Sequence, residues 1–191
     1  MEQTQHHTDD KSLLGFWIYL MTDLIMFAAL FATYAVLRNN TFGGPTEKDL
    51  FNLPFVFIET LILLSSSFTS GLAMLAALKG LKNQTLLWLG ATFLLGAAFL
   101  TMELMEFSKL FNEGATFQKS AFLSSYFTLV GTHGFHIAIG LLWLLVSMAI
   151  LWRRGLSQTV ISQLTRLNFF WHFLDIVWIF IFSFVYLMGV L

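Results

Sequence analysis

The chain has 191 residues, of which 57% are hydrophobic and only 11% charged, and it contains no cysteine. A soluble domain of this length carries about 25% charged residues, so most of this surface does not meet water. The formal net charge of −1 gives no basis for a nucleic-acid partner, and the lack of thiols excludes disulfides, thiolate zinc, iron–sulfur clusters and cysteine-ligated copper.

Residues 1–13 read as a polar N-terminal tail holding Glu2, Asp9 and Asp10. The apolar run behind it is too long for the hydrophobic part of a signal peptide and contains an acid, so no cleaved leader is expected. His6 and His7 are read as solvated terminal side chains rather than a metal pair. A helix needs about 20 apolar residues to cross a bilayer, because backbone polar groups cannot be left unpaired in lipid. Five runs qualify, at about 14–37, 54–78, 85–107, 121–152 and 168–191. The expected fold is therefore all-α: one integral membrane domain, 14–191, made of a bundle of five transmembrane helices.

The expected connections are 38–53, 79–84, 108–120 and 153–167. Gly43-Gly44-Pro45 marks a turn in the first, and Pro54 suits the first turn of a helix, where its missing N–H is not needed. Lys11, Lys79, Lys82, Arg153, Arg154 and Arg166 fall on one side of the membrane, against Arg38, Lys48, Lys109 and Lys119 on the other. The excess of basic residues places the N-terminus in the cytoplasm and the C-terminus in the periplasm.

Within the spans stand five carboxyls, Asp23, Glu59, Glu103, Glu106 and Asp175, and three histidines, His133, His136 and His172. An ionised group at the bilayer centre costs about 3 kcal/mol or more, so such residues face protein or water and find partners. Asp23 lies about 13 Å along the first span at 1.5 Å per residue. His172 and Asp175 are expected within about two turns of the start of the fifth span. Glu59, Glu103 and Glu106 sit nearer the outer side, and His133 and His136 near the middle of the fourth span. Glu103/Glu106, His133/His136 and His172/Asp175 are i,i+3 pairs, each sharing a helix face. Asp23 is thereby expected to meet His136 or His172. For Asp23 both proton handling and a structural role stay open, while His133, His172 and Asp175 are read as packing contacts. The cluster Ser65, Ser66, Ser67, Ser70 and Gly71 reads as a close-packing surface, and the phenylalanines as lipid-facing and interhelical filler.

A complete haem–copper centre needs more histidines than the three in the spans, so the chain is not expected to carry one. A single haem held by His133 and His172 is the arrangement that counting leaves open. No metal or cofactor site is expected in this chain.

Five segments carry a resemblance. Gly15–Phe27 is an aromatic-rich helix around an embedded carboxylate, Asp23. Glu59-Thr60 is followed by Leu63-Leu64-Ser65-Ser66-Ser67, and Glu103-Leu104-Met105-Glu106-Phe107 fits a Gln-x-x-Glu-Tyr pattern with glutamate in the glutamine's place. Gly131-Thr132-His133-Gly134-Phe135-His136 and Trp171-His172-Phe173-Leu174-Asp175-Ile176-Val177-Trp178 complete the set. In order and on five spans, these resemble subunit III of the haem–copper oxidases. The five-helix form, without the two leading helices of many members, together with Gly43-Gly44-Pro45-Thr46, Leu53-Pro54-Phe55 and Val185–Gly189, is most similar to the cytochrome bo-type ubiquinol oxidase branch.

The resemblance implies a non-catalytic subunit III in a proton-pumping respiratory complex of the bacterial inner membrane. That complex would oxidise ubiquinol and reduce dioxygen to water, with its haems and copper in the catalytic subunit I. This chain would support assembly, stability and proton uptake, in contact with subunit I, other subunits and membrane lipids. Asp23 takes the role of the embedded carboxylate, and Glu59, Glu103, Glu106, His133, His136, His172 and Asp175 those of interior polar contacts; none is catalytic. The alternatives are a subunit III-like component of a cytochrome c oxidase or nitric-oxide reductase, or an independent proton-conducting membrane protein. Against the last stand the lack of an internal proline in any span and of an inverted repeat.

Overall fold

The computed structural model describes residues 2–38, 53–112 and 120–190, with side chains from 13 to 189. The side chains of His6 and His7 and the turn at Gly43-Gly44-Pro45 lie outside that description. The described residues form five long helices: α1 Glu2–Leu37, α2 Leu53–Leu78, α3 Lys82–Asn112, α4 Ala121–Arg154 and α5 Gln158–Ile181. The last continues through a π-helical segment, Phe182–Leu187, into a final turn, Met188–Val190. All five are long and apolar enough to cross a membrane.

Helix bounds depart most from the hydropathy reading at two places, and α3 also runs five residues past its expected end, to Asn112. The polar residues from Glu2 onward are part of α1 rather than a separate tail. The fifth helix starts at Gln158, ten residues before its apolar run, so the expected connection 153–167 shrinks to three residues, Gly155 to Ser157. Arg166, counted with that connection, is helical and half-buried. His172 and Asp175 are consequently about 21 Å and 26 Å along α5 at 1.5 Å per residue, well beyond its first turns. At 34 residues α4 is about 50 Å long, so it tilts or projects beyond a hydrocarbon core of about 30 Å.

A repeat of alternating threes and fours sets the packing. The buried residues of α3 are Thr85, Leu89, Thr92, Gly96, Phe99, Glu103, Glu106 and Leu110. The same spacing runs through Val160, Leu164, Leu167, Trp171, Leu174, Trp178, Ile181 and Val185 of α5. A period of 3.5 keeps one narrow seam facing the partner helices and produces the shallow left-handed crossings common in membrane bundles. The helices α2, α3, α4 and α5 contact one another in a closed ring, and α1 lies outside it against α4 and α5. Large apolar side chains such as Ile25, Val36, Phe68, Leu94 and Phe135 are exposed on the outer faces, as a lipid-facing surface requires.

Short turns fix neighbours. After α2 the Leu81 N–H reaches the Ala76 carbonyl and the Gly80 N–H the Ala77 carbonyl, both at 3.0 Å, with Gly80 at φ 74°. That is a Schellman stop, and its left-handed residue favours glycine. Ser120 and Ser157 cap α4 and α5 by accepting the N–H groups of Leu123 and Val160. Lys82 Nζ donates to the Trp152 carbonyl at 2.9 Å, placing a cation at the C-terminal end of α4, where the helix dipole welcomes one.

Among the described glycines, those facing Trp171 leave the least room for a side chain. A Cβ on Gly96 of α3 would lie 2.7 Å from its ring, and one on Gly140 of α4 3.1 Å away. Its Nε1 donates to Ser66 Oγ of α2 at 3.0 Å. One turn pair further, Trp178 Nε1 donates to Thr60 Oγ1 at 3.1 Å. Two tryptophans seven residues apart thus stitch α5 to α2, and Ser70 adds a third link by donating to Asn168 Oδ1 at 2.8 Å. The expected small-residue surface is this one: Ser66, Ser67 and Ser70 are buried, while Ser65 faces outward.

Candidate functional site

The seam sorts the interior polar residues. Asp23, Glu59, Glu103, Glu106 and His133 occupy seam positions, His136 lies beside one, and His172 and Asp175 flank the seam of α5. They gather into three places.

The first is at the junction of α1 with α4. Of the two partners expected for Asp23, it faces His136, with Oδ2 and Nε2 3.8 Å apart. Both residues are 8% exposed. His136 Nδ1 lies 2.8 Å from the Thr132 carbonyl, one turn back. A carbonyl only accepts, so Nδ1 carries a proton and Nε2 is either a lone pair or a second N–H. A lone pair facing a carboxylate is repulsive; one proton between the two groups removes the repulsion in either location. The separation exceeds the 2.7–3.2 Å range of a hydrogen bond, and Asp23 Oδ2 has no hydrogen-bond partner. Tyr19, one turn before Asp23, brings a phenol beside the same carboxyl. His133, one turn before His136, is fully buried among Phe27, Phe99 and Trp178, and neither ring nitrogen has a partner.

The second place is between α2 and α3. Glu59 joins Glu103 and Glu106, with one oxygen from each within 4.8 Å of the others. Two carboxylates at such a separation repel by about 3.5 kcal/mol even at an effective dielectric constant of about 20. The three cannot all stay charged there without added positive charge. Tyr186 of the π-helical segment donates to Glu106 Oε2 at 3.2 Å and shares a 2.9 Å hydrogen bond with Tyr126 of α4. Sequence reasoning missed both tyrosines. The signal was present: a phenol in an apolar run needs a partner for its hydroxyl when buried.

The third place is lateral. His172 and Asp175 line an open groove between α2 and α5 with Ser67 and Gly71. His172 also lines a groove of about 500 Å³ between α1 and α5, walled by Trp17, Leu24, Phe27 and Phe173. The structure does not bring His172 to Asp23 or to the carboxyl cluster, and His133 lines neither groove.

Fold and interior together define a polytopic helical membrane protein whose polar groups meet between packed helices. The model of the family described as cytochrome c oxidase subunit III matches residues 3–190. The chain belongs to that family. It is 58% identical over 186 residues to the cytochrome bo(3) ubiquinol oxidase subunit 3 of Pseudomonas aeruginosa, covering 97% of this chain and 89% of the relative. It is 46% identical over 183 residues to the cytochrome c oxidase subunit 3 of Bacillus sp. PS3, covering 94% and 86%. With the quinol oxidase subunit 3 of Bacillus subtilis it shares 44% over 185 residues, covering 97% and 91%.

Proposed function

We propose that the chain is the non-catalytic subunit III of a proton-pumping ubiquinol oxidase in the bacterial inner membrane. The observation that carries the reading is the likeness, over nearly the whole of both chains, to a relative named as subunit 3 of a bo(3) ubiquinol oxidase. In this reading haems and copper reside in subunit I, against which the chain packs, and membrane lipid covers its remaining apolar faces. The chain supports assembly, stability and proton uptake. Asp23 is its embedded carboxylate; Glu59, Glu103, Glu106, His133, His136, His172 and Asp175 are interior contacts that make and break no bonds in the oxygen chemistry. Relatives named for cytochrome c oxidases are the source of the second reading. Gentle purification from native membranes decides between them. The complex containing this chain is expected to consume oxygen with ubiquinol as donor; turnover with reduced cytochrome c alone would reverse the assignment.

The N-terminus is cytoplasmic in this reading, because Lys79, Lys82, Arg153 and Arg154 cluster at helix ends on its side of the bundle. The sequence has no cysteine, so a single cysteine at the exposed Asn83 is a clean reporter. It is expected to react with a membrane-impermeant maleimide only after the cells are opened, and labelling of intact spheroplasts would invert the topology.

A further inference from the structure

We propose that Glu59, Glu103 and Glu106 form a buried site for one hard divalent cation of the calcium type. The inference stands apart from the choice between quinol and cytochrome c as electron donor.

Three observations carry it. The acids arrive from two helices, Glu59 from α2 and the i,i+3 pair Glu103/Glu106 from α3, and one oxygen of each lies within 4.8 Å of the others. Three atoms so placed fit around a common centre at no more than about 2.8 Å, close to the 2.3–2.6 Å of calcium–oxygen bonds. Next, Glu59 is 0% and Glu103 2% exposed, and none of their four carboxyl oxygens has a hydrogen-bond partner. Glu59 is therefore a wholly buried polar side chain aimed at the α3 pair with nothing from the protein to satisfy it. Buried polar atoms are almost always paired, and orphans point to a group from outside the chain. Finally, α5 departs from α-helical winding over Phe182–Leu187, and Tyr186 in that segment turns its hydroxyl onto Glu106. Such π segments are frequent at functional sites.

The chemistry of the donors selects the ion. An all-oxygen, carboxylate-rich set suits calcium, magnesium or manganese rather than copper, zinc or iron, which take nitrogen or sulfur readily. Magnesium keeps several of its waters, and side chains this buried leave them little place. Calcium, with flexible coordination, fits, and manganese serves as its spectroscopic stand-in. The positively charged side chain near the acids on the same helix is Lys109, one turn from Glu106 towards the end of α3; the oxygens of Glu59 and Glu103 take no hydrogen bond from it. Access is short: Glu59 lies about 9 Å from the start of α2 along the helix axis.

The test uses the intact membrane complex that contains this chain, washed with chelator and reloaded with Mn2+. Glu59→Gln and Glu103→Gln keep side-chain volume and remove one charge each. The wild-type complex is expected to retain one more equivalent of Mn2+ than either variant. Chelator is expected to lower the temperature at which the chain leaves the wild-type complex by several degrees, and to leave the variants unmoved. Equal Mn2+ in all three complexes would overturn the proposal. So would variants that hold the chain more firmly than wild type, because loss of a like charge helps only a cluster that shares protons alone. If neither variant assembles, Glu59→Asp keeps the charge and shortens the reach: weaker Mn2+ retention supports the site, and unchanged retention overturns it.

Discussion

Trp171→Ala is expected to release the chain from its complex at a much lower temperature than wild type. The indole is buried between Gly96 of α3 and Gly140 of α4 and bonds Ser66 of α2, so its loss opens a cavity touching every helix of the ring. Removing a buried tryptophan costs about 3–5 kcal/mol, and the rigid seam has few ways to collapse into the space. Trp171→Phe keeps most of the volume but drops the bond to Ser66, and should cost about 1 kcal/mol. Gly96→Ala presses a methyl to 2.7 Å of the ring, an overpacking worth about 1–3 kcal/mol. Because the two side chains touch, their effects should not add: Gly96→Ala costs less in a Trp171→Phe background. Thermal release of the chain from the purified complex measures all four. A Trp171→Ala complex as stable as wild type would show that the ring is not held by this wedge.

Asp23→Leu is expected to loosen α1 and to change proton-coupled turnover. Asp23 is the acid on the seam of α1, a helix that packs mainly against α4 and α5 among the described residues. Removing it leaves His136 Nε2 facing an apolar side chain, at a cost of about 1–3 kcal/mol for an unsatisfied buried group. Asp23→Asn should cost less than about 1 kcal/mol, since its amide donates to the Nε2 lone pair while holding no exchangeable charge. The two variants therefore separate structure from proton handling. If both lose proton-coupled activity while only Asp23→Leu loses α1, the carboxyl handles protons. Full activity in Asp23→Asn would assign it a structural role. Protease accessibility of α1 and proton release per oxygen, measured on reconstituted complex, give the two readouts.

The number of spans was legible in the sequence because the length of an apolar run is a direct consequence of bilayer thickness. The start of α5 was not, because Gln163 and Arg166 lower the hydropathy of a segment that is nevertheless helical. The seam spacing Val160, Leu164, Leu167 is the feature that marks this stretch as helix. Depth along the helices brought Asp23 to the level of both His136 and His172, but which one it meets depends on where α1 docks, a tertiary fact. The cluster of Glu59 with Glu103 and Glu106 was within reach. Glu59 stands 21 residues before Gly80 and Glu103 stands 23 after it, so a tight hairpin at that glycine puts them level. Thr69 and Thr92, 2.9 Å apart across the same pair, share that register. What no spacing could supply was the π-helical segment that carries Tyr186 to them.

That segment makes α5 two rods in series with different angular phase. Met188 N–H bonds the Ser183 carbonyl, five residues back instead of four, so everything after it is rotated by about one residue's arc relative to a continuous α-helix. The first rod aims its indole N–H groups at α2, and the second aims Tyr186 at α3 and α4. A single-residue deletion in 182–187 would hardly change the length of the helix. It would act like a key cut one notch off, leaving the tryptophans in place and swinging the phenol away from the acids.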